Sequence, residues 1–433
     1  MQEKNSLKPF VILAFIYFLI VGFITTINGQ LQAPLRTAFL GDAGFLKNTF
    51  ATLISFFFFL GYLISSPIGG KWLNKYAYKR TLIRALIFMI FGLLMFFLSA
   101  LFSVSFKDAI LQVGEIAIPY GYFIFLVGSY LAGSSAAVTQ VVVNPYIAGY
   151  DLAGTQPVQR MNIVCGIASF GTTIAPFFIT IVIFAGRTMD SVDVNQLLTP
   201  FFVLMLLVVA VTLLTMRMPI PDLAHTRQSS QNAPKESIWS FRHFKLGVIA
   251  IFFYVGAEVC IGANINLYAH ELQGTLSFFG YNDLVIGGYN LGMPALIATI
   301  YWGSIMIGRM ISSTLSSVRP RVQLVASTLL AVLFLSLAII FNNIWLIALV
   351  GLFHSVMWSC VFTLSVEGLK EYTAKASGIF MCGVFGGAVF PVFQGIFADV
   401  IGSWRWTWTI AIFCEIVILL YALKGSYPKK KED

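Results

Sequence analysis

Twelve apolar stretches, each close to the ~20 residues a helix needs to cross a bilayer, constrain this chain of 433 residues more than any other feature. The loops between them alternate between basic and non-basic. If both termini are cytoplasmic, 22 of the 27 Lys and Arg residues fall on the cytoplasmic side; only Arg36, Lys47, Lys107, Arg187 and Arg405 fall outside. Lys and Arg are retained on the cytoplasmic face during insertion, so this asymmetry predicts the orientation. The expected location is the cytoplasmic (inner) membrane. Hydrophobic residues make up 58% of the chain and charged residues 10%, too little charge to cover a soluble surface of this length. The net charge of +9 does not point to nucleic acid, because the basic residues sit in short loops beside apolar spans. The first stretch, Phe10 to about Ile27, is too long for a signal-peptide core and lacks a small-residue cleavage site. All five cysteines, Cys165, Cys260, Cys360, Cys382 and Cys414, lie inside spans with no CxxC pair. That argues against a zinc site or a disulfide framework.

The predicted spans are Pro9–Leu31, Thr49–Gly70, Thr81–Phe102, Pro119–Tyr146, Asn162–Ala185 and Leu198–Met216, then Leu246–Ala269, Pro294–Leu315, Val322–Phe341, Ile344–Val366, Ser377–Val400 and Trp406–Leu423. The fold class is all-α and polytopic. Between spans six and seven lies a polar stretch with Pro219, Pro221 and the run Gln228 to Glu236, which reads as a linker. The expected division is therefore an N-terminal six-helix bundle over 1–216, a cytoplasmic linker over 217–245, and a C-terminal bundle over 246–433.

The halves resemble each other. Phe170-Gly171 precedes Pro176 in helix 5, and Phe385-Gly386 precedes Pro391 in helix 11, with identical spacing. Val21-Gly22 in helix 1 aligns with Val255-Gly256 in helix 7. Parallel six-helix repeats are the arrangement of the major facilitator fold. The loop Gly70-Lys-Trp-Leu-Asn-Lys-Tyr-Ala-Tyr-Lys-Arg80 resembles that superfamily's signature G-x-x-x-D-R-x-G-R-R/K, with Asn74 for the Asp, Lys75 for the Arg and Ala77 for the Gly.

Polar groups are costly in hydrocarbon, so those inside spans are site candidates. Helix 1 ends in Asn28 and Gln30, helix 4 holds Gln140 and Asn144, helix 7 holds Glu258, Asn264 and Asn266, and helix 10 holds His354 and Trp358. Helices 1, 4, 7 and 10 are those that the resemblance implies line a central cavity. Amides offer both donor and acceptor to a neutral polyhydroxylated ligand, and aromatic rings pack on a sugar's apolar faces. The bland reading is interhelical hydrogen bonding. Glu258, about three turns into helix 7, is a candidate proton carrier, because ionisation there is opposed by desolvation. Its other candidate roles are to accept a sugar hydroxyl, pair with His354 or help bind Na⁺; the bland reading is a structural carboxyl bonded to a neighbouring helix. Glu415 in helix 12 is expected to be a structural or partly exposed carboxyl. Lys75, Arg160 and Arg309 are expected in gating or structural roles, Arg309 as a snorkelling residue or an interdomain gate.

Several motifs are similar to those of the fucose–galactose–glucose:cation symporter family. They are Gly22-Phe-Ile-Thr-Thr-Ile-Asn28 with Pro34; Asn144-Pro145 with Arg160 and Asn162; Tyr254-Val-Gly-Ala-Glu-Val259; Leu352-Phe-His-Ser-Val-Met357 with Glu367-Gly-Leu369; and Gly386-Gly-Ala-Val-Phe-Pro391 with Ala398-Asp399. The resemblance implies alternating-access import of a neutral hexose, deoxyhexose or amino sugar, coupled to H⁺ or Na⁺. The alternatives are a uniporter or a non-transporting sugar sensor on the same fold. A fucose- and proton-transporting member of the family relies on acidic residues in helices 1 and 4. Here those positions are Gln30 and Gln140, and two polar positions of its helix 5 are Cys165 and Ala168. That proton route therefore does not carry over. The expected partners are a small sugar, the coupling ion and the lipid bilayer, with the chain working as a monomer and without cofactor, metal or nucleic acid. No enzyme motif is complete: His270-Glu271 lacks a second His, and Gly69-Gly70-Lys71 lacks the rest of a phosphate loop.

Overall fold

A computed structural model describes residues 2–40, 44–113, 116–149, 157–184, 194–218, 237–272, 274–281, 284–286, 289–314, 318–369 and 372–428. In lipid a backbone must satisfy its own hydrogen bonds, so long apolar runs become helices. Among the described residues, eleven helical segments are long and apolar enough to cross a membrane, and one of them, Gly44–Ser105, spans 62 residues and holds two crossings. The total is twelve.

Helix 1 is Gln2–Gln30 and leads into a short helix, Gln32–Phe39. Helices 2 and 3 form one run, Lys47–Ser105. Helix 4 is Tyr120–Gly149, helix 5 is Pro157–Phe177 with a π-helical end at Phe178–Ile183, and helix 6 is Leu198–Arg217. Helix 7 is Arg242–Glu271, helix 8 is Met293–Thr314 and helix 9 is Pro320–Phe341. Helix 10 comprises Ile344–Leu349 and Gly351–Val366; helix 11 comprises Thr373–Cys382 and Gly386–Ile401. Helix 12 centres on Thr409–Leu420. Arg242–Lys245, expected in the linker, instead open helix 7. The linker's 219–236 stretch, Arg187, Lys370 and Lys429 to Lys431 lie outside the described residues. Two antiparallel hairpins add to the helical plan, Ile110–Val113 with Ile116–Pro119 and Leu284–Ile286 with Tyr289–Leu291.

The turn between helices 2 and 3, with Lys71, Lys75, Lys79 and Arg80, marks one end of the bundle, here the basic face. Helix 2 starts at the opposite, far face. The turn is made at Ala77, whose φ of 63° and ψ of −179° break the helical run. A side chain at that backbone conformation is strained by about 1–3 kcal/mol. It is the position where the superfamily signature has glycine. Ala77→Gly is expected to stabilise the folded protein by about 1 kcal/mol, read as a rise in melting temperature in detergent; an unchanged or lower value would contradict this.

The internal repeat has a packing cause. A Cβ on Gly171 would lie 2.7 Å from the Leu19 carbonyl oxygen of helix 1, and one on Gly386 would lie 1.7 Å from the Phe252 carbonyl oxygen of helix 7. Each glycine lets the fifth helix of its half press its backbone on the first. Close approach of this kind drives helix association in lipid, where no hydrophobic gain separates helix from solvent. Between the halves, helix 5 packs on helix 8 and helix 2 on helix 11.

Candidate functional site

A cavity of about 130 Å³ lies between the halves, with walls from helices 1, 2, 4, 5, 7, 8, 10 and 11. Its polar lining comes from Thr25, Tyr62, Gln140, Thr172, Glu258 and Arg309, and its aromatic lining from Phe18, Phe59, Trp302 and Trp358. Cys165 and Ala168 also line it. Gln140 donates from Nε2 to the Tyr62 hydroxyl at 2.9 Å. Trp302 carries a buried indole Nε1 that has no hydrogen-bond partner among the described residues. Such a donor on a cavity wall is costly unless something there accepts from it. Glu258 is the acidic residue on the wall, half-buried, with Oε1 3.0 Å from the Tyr254 hydroxyl.

Of the residues singled out in the sequence, Gln140, Glu258, Trp358 and Arg309 reach this cavity. The others are held elsewhere. Asn28 lines a smaller adjoining space and donates to Ser129 Oγ at 2.7 Å, tying helix 1 to helix 4. Gln30 donates to the Gly262 carbonyl of helix 7, and Asn266 donates back to the Gln30 carbonyl at 3.1 Å. Gln30 is thus a seam between the halves. Asn144 lies 3.7 Å from Met381 Sδ, joining helix 4 to helix 11. Asn264 donates to Gln394 Oε1 at 2.9 Å within the second half. Lys75 is exposed, its Nζ 5.2 Å from the centre of the Tyr76 ring. Arg160 is buried and donates from Nε to the Ile147 carbonyl at 3.1 Å, near the end of helix 4, a favourable position for a cation. Arg309 bonds the Cys165 carbonyl at 2.8 Å and Ser169 Oγ, bridging helix 8 to helix 5 across the halves.

His354 is fully buried and does not pair with the Glu258 carboxyl. Its Nε2 lies 2.8 Å from Glu415 Oε1 and its Nδ1 2.8 Å from the Tyr301 hydroxyl. Glu415, expected to be a structural or partly exposed carboxyl, is fully buried, because helix 10 presents His354 to it. Sequence reasoning passed over Tyr62 and Tyr301; a hydroxyl at span depth was the available signal.

At the far face a second arrangement, which sequence reasoning missed, ties the halves together. Helix 2 opens with Leu46 at its N-cap, which supplies no side-chain acceptor. The acceptor comes from the other half. Asp399, near the end of helix 11, takes the Thr49 amide at 2.8 Å, the Thr49 hydroxyl at 2.6 Å and Asn48 Nδ2 at 2.8 Å. Asn48 Oδ1 accepts from Arg36 Nη1 at 2.7 Å, and Arg36 Nη2 lies 3.4 Å from His270 Nδ1. A carboxylate on the first-turn amides of a helix is favoured by both hydrogen bonding and the helix dipole.

Two six-helix halves around one central cavity, joined at both ends by contacts that cross between them, define the architecture of an alternating-access carrier. A family model of the Major Facilitator Superfamily matches residues 10–385, and the chain belongs to that superfamily. Among curated proteins it is similar to a glucose/galactose transporter of Brucella abortus (biovar 1, strain 9-941), 28% identical over 98% of this chain and 96% of that protein. It is also similar to the L-fucose-proton symporter of Escherichia coli K12, 25% identical over 97% of this chain and 94% of that protein. Among solved structures, the fold matches FucP in its outward conformation, with a TM-score of 0.66 at 22% identity over 96% of this chain and 98% of that one. It also matches the proton:xylose symporter XylE, with a TM-score of 0.71 at 13% identity over 99% and 97%.

Proposed function

We propose that this protein imports a neutral hexose or related sugar by alternating access, coupled to protons through Glu258. The basic face is then cytoplasmic, with both termini inside, the far face is the outer one, and a monomer is the working unit. The observation that carries the reading is the cavity lining. Among the described residues, one carboxyl, one amide and a group of aromatic rings that includes Trp302 converge on a space at membrane depth. Such a mixture suits a ring with hydroxyls on its edge and C–H bonds on its faces. The sugar names attached to the relatives agree with it.

Proton coupling rests on a count of protons. The Tyr254 hydroxyl has one hydrogen and two neighbours, Glu258 Oε1 at 3.0 Å and the His354 carbonyl at 3.1 Å. The carbonyl only accepts. Both contacts are satisfied together when Glu258 itself brings a proton to Tyr254. Loss of that proton forces Tyr254 to choose one of them. Emptying Glu258 therefore changes a bond between helices 7 and 10. Na⁺ coupling is the competing reading; it predicts driven uptake in a Na⁺ gradient at constant pH.

The purified protein should show a melting shift with particular members of a panel of hexoses, deoxyhexoses and amino sugars, with or without Na⁺. No shift with any sugar would count against the reading. Gln140→Ala should raise KM for the transported sugar by about tenfold, the worth of one lost hydrogen bond of about 1.4 kcal/mol, with the maximal rate less affected. An unchanged KM in an uptake assay would remove Gln140 from the binding site. A non-transporting sensor would bind without accumulating, which uptake into proteoliposomes separates.

A further inference from the structure

The second half contains a buried acid–base pair outside the cavity that the reading above does not use. Its protons can be assigned from the acceptors around it. The Tyr301 hydroxyl touches two groups, the backbone carbonyl of Glu258 at 3.1 Å and His354 Nδ1 at 2.8 Å. The carbonyl only accepts, so both contacts are satisfied together when Tyr301 gives its hydrogen there and accepts from a hydrogen on His354 Nδ1. The other ring nitrogen, Nε2, faces Glu415 Oε1 at 2.8 Å, and both residues are fully buried. One proton occupies that contact. Placed on Oε1, it leaves both groups neutral. Placed on Nε2, it makes an imidazolium beside a carboxylate. Glu415 Oε2 has no hydrogen-bond partner among the described residues. An unpaired carboxylate oxygen in an apolar interior is far more costly than an unpaired carbonyl oxygen of a neutral acid, so the geometry seen here fits the neutral form.

Two tyrosines link the pair to Glu258, Tyr254 through the Glu258 carboxyl and the His354 backbone, Tyr301 through the Glu258 backbone and the His354 ring. The Tyr254 and Tyr301 rings each lie 6.0 Å from the imidazole, edge to face. Among the described residues, the titratable and charged groups around the pair are Tyr254, Glu258 and Cys260 on helix 7, Tyr301 and Arg309 on helix 8, and Cys414 on helix 12. Arg309 bonds Cys165 and Ser169 of helix 5 and, from Nε, the Ser355 carbonyl of helix 10 at 3.3 Å.

We propose that His354 and Glu415 share a second, internal proton that shifts from Glu415 Oε1 to His354 Nε2 when Glu258 releases its own. Glu415 thereby acts as a positioning residue for the coupled carboxyl. The shift conserves charge within the pair: the acid becomes a carboxylate, the imidazole becomes an imidazolium, and no proton leaves. The positive end of the resulting dipole is the imidazole, the member of the pair that Tyr301 joins to helix 7 at Glu258, and it stabilises the anion formed there. This rests on Glu258 being the coupled carboxyl.

The test is the pH profile of proton-driven sugar uptake in proteoliposomes containing the full-length protein. Glu415→Gln keeps the shape and can donate from its amide to Nε2, but it has no proton to surrender. The ring then stays neutral and the Glu258 anion loses its support. The midpoint of the profile is expected to move to higher pH by about one unit, tenfold in proton concentration, while sugar exchange without a gradient persists. Glu415→Asp should restore part of the parent profile. Tyr301→Phe, which leaves the pair in place and cuts the bond from its ring to helix 7 while the Tyr254 link remains, should move the midpoint in the same direction, and it decides the matter if Glu415→Gln fails to fold. A Glu415→Gln or Tyr301→Phe profile superimposable on the parent overturns the inference. Glu258→Gln, run beside them, separates the two failures. If it keeps pH-driven accumulation, the coupling reading itself falls. If it loses accumulation while the other two variants match the parent, only the shared proton falls.

Discussion

Glu258→Gln is expected to abolish sugar accumulation driven by a pH gradient and to leave sugar exchange across the membrane running. One pH unit is worth about 1.4 kcal/mol per proton, enough for about tenfold accumulation of an uncharged solute coupled one to one. The parent should approach that ratio, and the variant should stop at equilibrium. Gln retains an N–H for the Tyr254 hydroxyl, so it reproduces the protonated carboxyl that fits the bonds at 3.0 and 3.1 Å. It cannot change state, so the carrier can reorient with sugar but without a reason to prefer one direction. Both uptake and counterflow in proteoliposomes read this directly. Loss of exchange together with accumulation would make Glu258 a residue for binding or folding instead.

Asp399→Ala should release the far face. It removes the acceptor for the Thr49 amide and hydroxyl and for Asn48 Nδ2, and Leu46 offers helix 2 no substitute. Hydrogen bonds to a charged group contribute about 1.5–3 kcal/mol each. Water repays part of this once the face opens. A net shift on the order of 2 kcal/mol, about thirtyfold in the balance of conformations, is expected. Cys165 reports it, because it lines the cavity while only 5% exposed. A membrane-impermeant maleimide added at the far face should label Cys165 at least several-fold faster in Asp399→Ala than in the parent. Sugar should slow the labelling, and Cys165→Ala should abolish it. Equal labelling rates would show that Asp399 does not hold the face shut.

Most of the fold was legible because each apolar run satisfies its own backbone, so length and hydropathy alone mark a crossing. The Phe-Gly-x4-Pro repeat was legible too, and its cause is backbone contact at Gly171 and Gly386. The turn at Ala77 was visible as a superfamily loop, but its strained backbone was not. The site was only half legible. Gln30 and Gln140 look equivalent in sequence, each an amide where a relative has an acid. Gln30 faces the helix 7 carbonyl at Gly262, whereas Gln140 faces the cavity beside Tyr62. A helix that is apolar all round carries no amphipathic signal to fix its rotation, so composition cannot say which amide meets the ligand. His354 and Glu415 illustrate the same limit, since each makes sense only once the fold brings their side chains, 61 positions apart, together. The far-face latch joins residues about 350 positions apart, beyond any local pattern.

The central claim is that a proton gradient drives sugar through this protein. The purified protein in liposomes, acidic outside and alkaline inside, with no Na⁺ present, should concentrate a labelled hexose or deoxyhexose. Collapsing the gradient with a protonophore should bring it back to equilibrium. Uptake that reaches only equilibrium in a pH gradient, or that accumulates only in a Na⁺ gradient, would contradict the account.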